Sequence, residues 1–284
     1  FNKRFIMKLS AEQFRQMPEK RLTLLGMSGV GKTHLAKLLC ADDKWFHYSG
    51  DYRIGAKYLN EAILDNISSR AKKDPWLDKL LKDKSISISN HITFDNLSSV
   101  SAFLGKVGNP DLGGLPFEEF VYRQGLHKEA ESRAMLDVPS FISRAKKSGS
   151  TNFINDAGGS LCEIDDDNVY QVLAENTIII YIRASKANEE TLTKRALSRP
   201  KPLYYQAQFL QEQLKIYLKE RGMIYVAQIA PDDFVRWIFP RLIEHRKPKY
   251  AEIATKYGYT IDSESLYSCK NSEQVFELIY ESLE

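Results

Sequence analysis

Short apolar runs and helically spaced stretches alternate at the two ends of this chain, and the alternation lapses in between. Residues 22–25, Leu-Thr-Leu-Leu, form an apolar run of the kind a strand buried on both faces shows. Residues 33–40 follow with Leu35, Leu38 and Leu39 at the spacing of one helix face. Residues 45–49 predict a second strand, running on into Gly50-Asp51-Tyr52-Arg53-Ile54. From about 55 to 150 the strand rhythm disappears, and residues 62–67, 76–81 and 117–135 predict helices. It returns at 152–156, then at 177–182, whose β-branched and apolar residues predict a central parallel strand. The remainder reads as helices over 189–197, 209–220, 231–245 and 249–257, a short strand at 259–261 and a final helix from about Ser272, capped by Asn271.

These elements predict an α/β fold: a three-layer sandwich whose parallel central sheet is covered by helices on both faces. The core would comprise 1–54 and 151–284, interrupted by a mainly helical insert at 55–150 that serves as a substrate or partner lobe. The middle of the insert, 104–116, concentrates Gly and Pro and reads either as a functional ordered loop or as a flexible connection. The basic clusters at 70–73 and 144–147 look like solvated helix ends.

Between the first strand and the first helix lies Gly26-Met27-Ser28-Gly29-Val30-Gly31-Lys32-Thr33, a phosphate loop in the strand–loop–helix context the motif requires. Its glycines let backbone N–H groups from Gly26 to Lys32, Ser28, Gly29, Val30 and Gly31 among them, turn on a phosphate at the positive end of the following helix. Lys32 supplies a cation for the β- and γ-phosphates, Thr33 a hydroxyl for Mg²⁺, and His34 opens the helix beside them. The expected cofactors are therefore ATP and Mg²⁺. Asp51 follows the second strand on the edge where open parallel sheets bind ligands, with Arg53 two residues on, although Asp is also a preferred helix cap. Asp156 closes the third strand as a second metal-holding position, and Gly158 and Gly159 allow close approach of a ligand. The run of acidic residues at 163–167 reads as the solvated start of a helix and not as a metal site. Arg195, then Arg199-Pro200-Lys201-Pro202, forms a cationic break after a helix, a candidate lid at about 187–210.

With 284 residues and 43% hydrophobic residues, the chain can bury a sizeable core. No apolar run nears the ~20 residues of a membrane helix and no signal peptide is evident, which predicts a cytoplasmic protein without a membrane partner. Forty basic against 37 acidic residues leave a charge of +3, too balanced to favour a nucleic-acid surface. Three cysteines without C-x-x-C spacing indicate neither disulfides nor zinc, and Cys40 falls at a core position. The chain begins at Phe1, and Met7 is a candidate natural start.

The loop, the strand-ending Asp, the later glycine pair and the Arg-Pro lid together resemble the shikimate and gluconate kinase branch of the nucleoside monophosphate kinase-like fold. That resemblance implies that Asp51 orients and deprotonates an acceptor hydroxyl, that Arg195 lies over adenine and that Arg199 clamps the transferring phosphoryl group. It also implies that Arg246, in Arg246-Lys247-Pro248-Lys249-Tyr250, pairs with an acid substrate. Ser49 departs from the family, which has a second Asp there, and the insert carries no substrate signature. The stretches Trp45-Phe46-His47-Tyr48-Ser49 and Gly158-Gly159-Ser160-Leu161-Cys162-Glu163 are also similar to bacterial proteins described simply as P-loop ATPases, which implies no substrate. Three readings stay open: a small-molecule kinase, an ATPase switch whose insert binds a partner, and a nucleotide or polynucleotide kinase.

Overall fold

A computed structural model describes residues 8–41 and 44–283; Met7 lies outside the described residues. A short helix, α1 (Ala11–Gln16), is opened by a capping box between Ser10 and Gln13. It leads into β1 (Arg21–Leu25), whose Leu22, Thr23, Leu24 and Leu25 are completely buried. The phosphate loop then turns the chain into α2 (Lys32–Leu39), and β2 (Trp45–Ser49) follows. Straight after β2 the backbone coils into α3 (Gly50–Arg53), capped by the Ser49 hydroxyl accepting from Tyr52 N–H, and a wide π-type turn at Ile54–Tyr58.

The middle of the chain is helical, as its pattern predicts: α4 (Asn60–Ala71), α5 (Pro75–Lys82), α6 (Ser98–Leu104), α7 (Phe117–Leu136) and α8 (Val138–Lys147). Then come β3 (Asn152–Asp156), α9 (Asp167–Asn176), β4 (Ile178–Arg183), α10 (Lys186–Ser198) and α11 (Ala207–Glu220). The long α12 (Pro231–Tyr257), β5 (Gly258–Asp262), α13 (Ser263–Ser268) and α14 (Ser272–Leu283) complete the chain, and Asn271 caps α14 through Gln274 N–H.

Among the described residues the five strands form one parallel sheet in the order β2-β3-β1-β4-β5. Both sides are covered, by α2 and α14 on one and by α8, α9 and α12 on the other, so the three-layer α/β expectation holds. β1 lies at the centre, which puts the loop after it at the middle of the sheet's carboxyl edge. β4, Ile178 to Ile182 almost wholly buried, is flanked by β1 and β5 as its composition predicts.

The stretch 55–150 contributes Ala130, Ala134, Met135, Val138 and Ala145 to the main core, because β2 and β3 are parallel neighbours and their crossover must cover the sheet. Three expectations change. Residues 231–257 form one helix, not two, since Pro248 costs a single backbone bond in a helix buried along its length by Phe234, Ile238, Leu242, Arg246, Tyr250 and Ile253. The acidic run divides: Asp166 caps α9 and Asp167 is exposed, whereas Glu163 is fully buried. Cys40 is only half-buried at the end of α2, while Cys162 and Cys269 are buried.

Candidate active site

Three loop glycines adopt left-handed backbone, Gly26 at φ 140°, Gly29 at 91° and Gly31 at 108°. A side chain is barred there twice over: a Cβ on Gly26 would lie 2.8 Å from the Ile182 carbonyl, and one on Gly29 would lie 2.7 Å from Leu192 Cδ2. Lys32 is buried, its stem inside the loop and its Nζ donating to the carbonyls of Gly26 at 2.8 Å and Met27 at 3.1 Å. Thr33 Oγ1 donates to Asp156 Oδ2 at 2.8 Å, joining the start of α2 to the end of β3. This hydroxyl–carboxylate pair beside the glycine loop and Lys32 has the donor types that would hold Mg²⁺ and a nucleoside triphosphate. Among the described residues no group of three or more His, Cys, Asp or Glu could hold a metal by itself.

A cavity of about 440 Å³ opens over the loop, lined by Ser28, Lys32, Thr33, Asp51 and Asp156 together with His34 and Tyr267. The rings of His34 and Tyr267 stack at 5.8 Å, and the Tyr267 hydroxyl donates to the Gly29 carbonyl at 3.0 Å. His47 stands across from them, Nε2 3.9 Å from Asp156 Oδ2 and its ring stacked on Phe94 at 5.5 Å. Burial, aided by Lys37 and opposed by Asp156, lowers the His47 pKa, so the imidazole is neutral at pH 7.

A second cavity, about 340 Å³, adjoins the first. Its walls are Leu97, Val100, Leu104 and Ile54, with Pro202, Leu203 and Tyr204 of the segment after α10; its floor is His127, Gly159, Ser160 and Arg246. Ser28, Asp51 and Leu97 line both cavities, so the two meet at the Asp51 carboxyl. Ser49 is the cap of α3, which leaves that carboxyl to face the cavities. Asp51 is open to the cavity space yet enclosed by protein: desolvation raises its pKa, Lys32 opposes the rise and Asp156 adds to it.

Behind this junction lies a layer that sequence reading missed. Glu131 of α7 is completely buried; its Oε2 accepts from Ser160 Oγ at 2.7 Å and its Oε1 has no hydrogen-bond partner. A Cβ on Gly158 would collide with Glu131 Oε1 and lie 3.1 Å from Asp51 Oδ1, so this glycine lets two carboxyl groups approach from either side. Burial first, then the neighbouring Asp51 and Glu163, pushes Glu131 up to about 8 against the pull of Ser160 and Arg246. One turn away, His127 stacks on Tyr204 at 5.3 Å, and burial with Arg246 nearby brings it down to about 4. The signal was present: Arg123, Gln124, His127 and Glu131 make a polar stripe at helical spacing, and all four are buried.

The remaining candidates separate. Gly159 sits against the loop, a Cβ there being 2.8 Å from Ser28 N. Arg195 is exposed beside the loop, its Nη1 3.6 Å from where a Gly29 Cβ would be, while Arg199 ends α10 exposed and lines neither cavity. Arg53 is turned away, its Nε and Nη2 both 2.7 Å from Asp137 Oδ2 and its guanidinium over the Phe141 ring. Arg246 lines the second cavity from below; its Nε and Nη2 hold Glu163 Oε2 at 2.8 and 2.5 Å, and it also donates to the carbonyls of Gly159 and Tyr204.

A parallel sheet with the phosphate loop leaving its central strand, and a hydroxyl–carboxylate pair closing the adjacent edge, defines an α/β protein of the phosphate-loop class. In structure the chain is similar to a shikimate kinase from Bacteroides thetaiotaomicron, with TM-score 0.40 and 16% identity over 92% of this chain and 97% of that one. It is also similar to the shikimate kinase from Acinetobacter baumannii solved in complex with shikimate, with TM-score 0.33 and 14% identity over 83% of this chain and 98% of that one. These likenesses are distant, and the class stands on the sheet order and loop geometry. No protein-family model matches the chain, and no curated protein matches it.

Proposed function

We propose that this protein transfers the γ-phosphoryl group of ATP to a hydroxyl group of a small molecule, with Mg²⁺ bound at Thr33 and Asp156. The observation that carries the reading is the meeting of two cavities at Asp51, one over the phosphate loop and the other walled by α6 and the segment after α10. A hydrolase needs room only for water at that point. A second cavity of about 340 Å³ opening on the same carboxylate has the size of an acceptor site.

In this reading the loop amides and Lys32 hold the phosphates, and the bound cation supplies neutralisation of their charge. The acceptor oxygen forms its bond to the γ-phosphorus as the bond to the β–γ bridging oxygen breaks; the acceptor proton passes to Asp51 and ADP leaves. Burial raises the Asp51 pKa, which makes its carboxylate a stronger base than an exposed one. Arg199, exposed at the end of α10, would reach the phosphates only through closure of the 187–210 segment.

The test is ADP formation from ATP-Mg²⁺ with and without a panel of hydroxyl compounds, alongside identification of phosphorylated product. Acceptor-dependent ADP with matching product supports transfer; acceptor-independent turnover throughout the panel rejects it. The ATPase-switch reading has one observation in its favour: α5 has no buried residue and Trp76 on it is 67% exposed, as a partner-binding surface would be.

A further inference from the structure

The second cavity is built against negative charge. Arg246 is its buried cation, and a guanidinium with a free edge would grip a carboxylate bidentately. That edge is taken: Nε and Nη2 both bind Glu163 Oε2, while the other N–H of Nη2 goes to the Tyr204 carbonyl and Nη1 donates to the Gly159 carbonyl. Four of the five N–H groups are thus engaged, and Glu163 cancels the charge. Burial works against both ions, but each holds the other: Glu163 is lowered by Arg246 and His245, and Arg246 is raised by Glu163.

The rest of the floor offers no replacement. His127 is neutral at pH 7, and Glu131, which lies behind the floor, is mostly protonated there. Asp51 at the inner end is a carboxyl group and offers an anion no cation. Lys201 is the cation left among the lining residues, and it is exposed. Such an exposed contact adds little, whereas burying a carboxylate without a partner is costly. What the cavity does offer is an apolar wall of Leu97, which precedes α6, with Val100 and Leu104 of α6, and the neutral hydroxyls of Ser28 and Ser101.

We infer that the acceptor cavity takes an uncharged hydroxyl compound with an apolar face, and rejects hydroxy acids and phosphate monoesters of the same size. The inference rests on the transfer reading for the identity of the cavity. It reverses what the family resemblance implies for Arg246, because in this chain Glu163 already occupies the position a substrate carboxylate would need.

The experiment measures binding, so that it separates from turnover. Wild-type protein saturated with Mg²⁺ and a non-hydrolysable ATP analogue is titrated calorimetrically with matched pairs: shikimate and its methyl ester, gluconate and glucitol, adenosine and AMP, thymidine and its 5′-monophosphate. The neutral member of at least one pair is expected to bind ten-fold or more tighter than its anionic partner, with no pair reversed. An anion that binds tighter than its neutral partner overturns the inference, and so does absence of binding by every compound. Glu163→Gln, once circular dichroism shows it folded, should leave Arg246 uncancelled and move the preference at least ten-fold towards the anion; an unmoved preference overturns the role given to the pair. If a neutral compound binds but is not phosphorylated, the transfer reading fails and this inference stands. If a hydroxy acid is phosphorylated efficiently, the inference fails and transfer stands.

Discussion

Burial without a full charge partner leaves Glu131 mostly protonated at pH 7, and this has a measurable consequence for stability. Its folded pKa, about 8, lies above the ordinary carboxylate value, so its contribution is fully present below that ordinary value and is lost as pH rises through about 8. Wild type should therefore lose stability relative to Glu131→Gln between pH 5 and 9, on the order of a few kcal/mol, because the amide keeps the shape and cannot ionise. Thermal melts of the two proteins across that range decide it, and a pH-independent difference would mean that Glu131 does not titrate there. His127 has the opposite sign: its pKa of about 4 makes its contribution present above the ordinary imidazole value and lost as pH falls through 4. Lys32 needs a different test, since its side chain is buried within the loop. Lys32→Ala should abolish measurable ATP binding, and the two carbonyls it holds would lose their donor, so a modest fall in melting temperature is also expected. Retained ATP affinity in the folded variant would remove the loop as a phosphate site.

Among the elements, legibility follows locality. The phosphate loop, β1, β3 and β4 could be read from sequence because a glycine motif and a continuous apolar run each state their own environment. The continuation of α12 through Pro248 could not, because it comes from burial against β4, β5 and α9, which no local pattern records. Glu163 was misread for the same reason: its partner Arg246 lies 83 residues away. The connection after β3 carries its own prediction. Gly158 separates Glu131 from Asp51, and Gly158→Ala forces a methyl against the Oε1 of the completely buried Glu131. Overpacking of this kind costs ~1–3 kcal/mol. Chemical denaturation should show that loss, and ATP affinity should survive because the loop side of the cavity is untouched. A variant as stable as wild type would show that the two carboxyls are not held against this glycine.

For the molecule as a whole, the sheet order was not legible, but its consequence was: β1 at the centre and β3 beside it bring Lys32, Thr33 and Asp156 to one edge, and the helix after β2 adds Asp51 there. The insert stayed opaque because residues 55–150 contribute to two environments at once, α7 and α8 to the sheet core and residues 107–120 to a second cluster with α11 and α12. That division builds the second cavity, since α6 and the segment after α10 supply walls while His127 of α7 lies on the floor. Asp51→Asn tests the assembly as a unit. The amide keeps the volume and much of the hydrogen bonding but removes the base and the charge facing Lys32, so ATP should bind at least as well as to wild type. Acceptor phosphorylation should fall by ~10²–10⁴-fold if the carboxylate takes the hydroxyl proton. An ATPase whose water is oriented elsewhere would keep its turnover in this variant. Single-turnover measurement of ADP and of phosphorylated acceptor in the same reaction separates the two cases. If both products form at wild-type rate, Asp51 lies at the junction of the cavities without serving as the base.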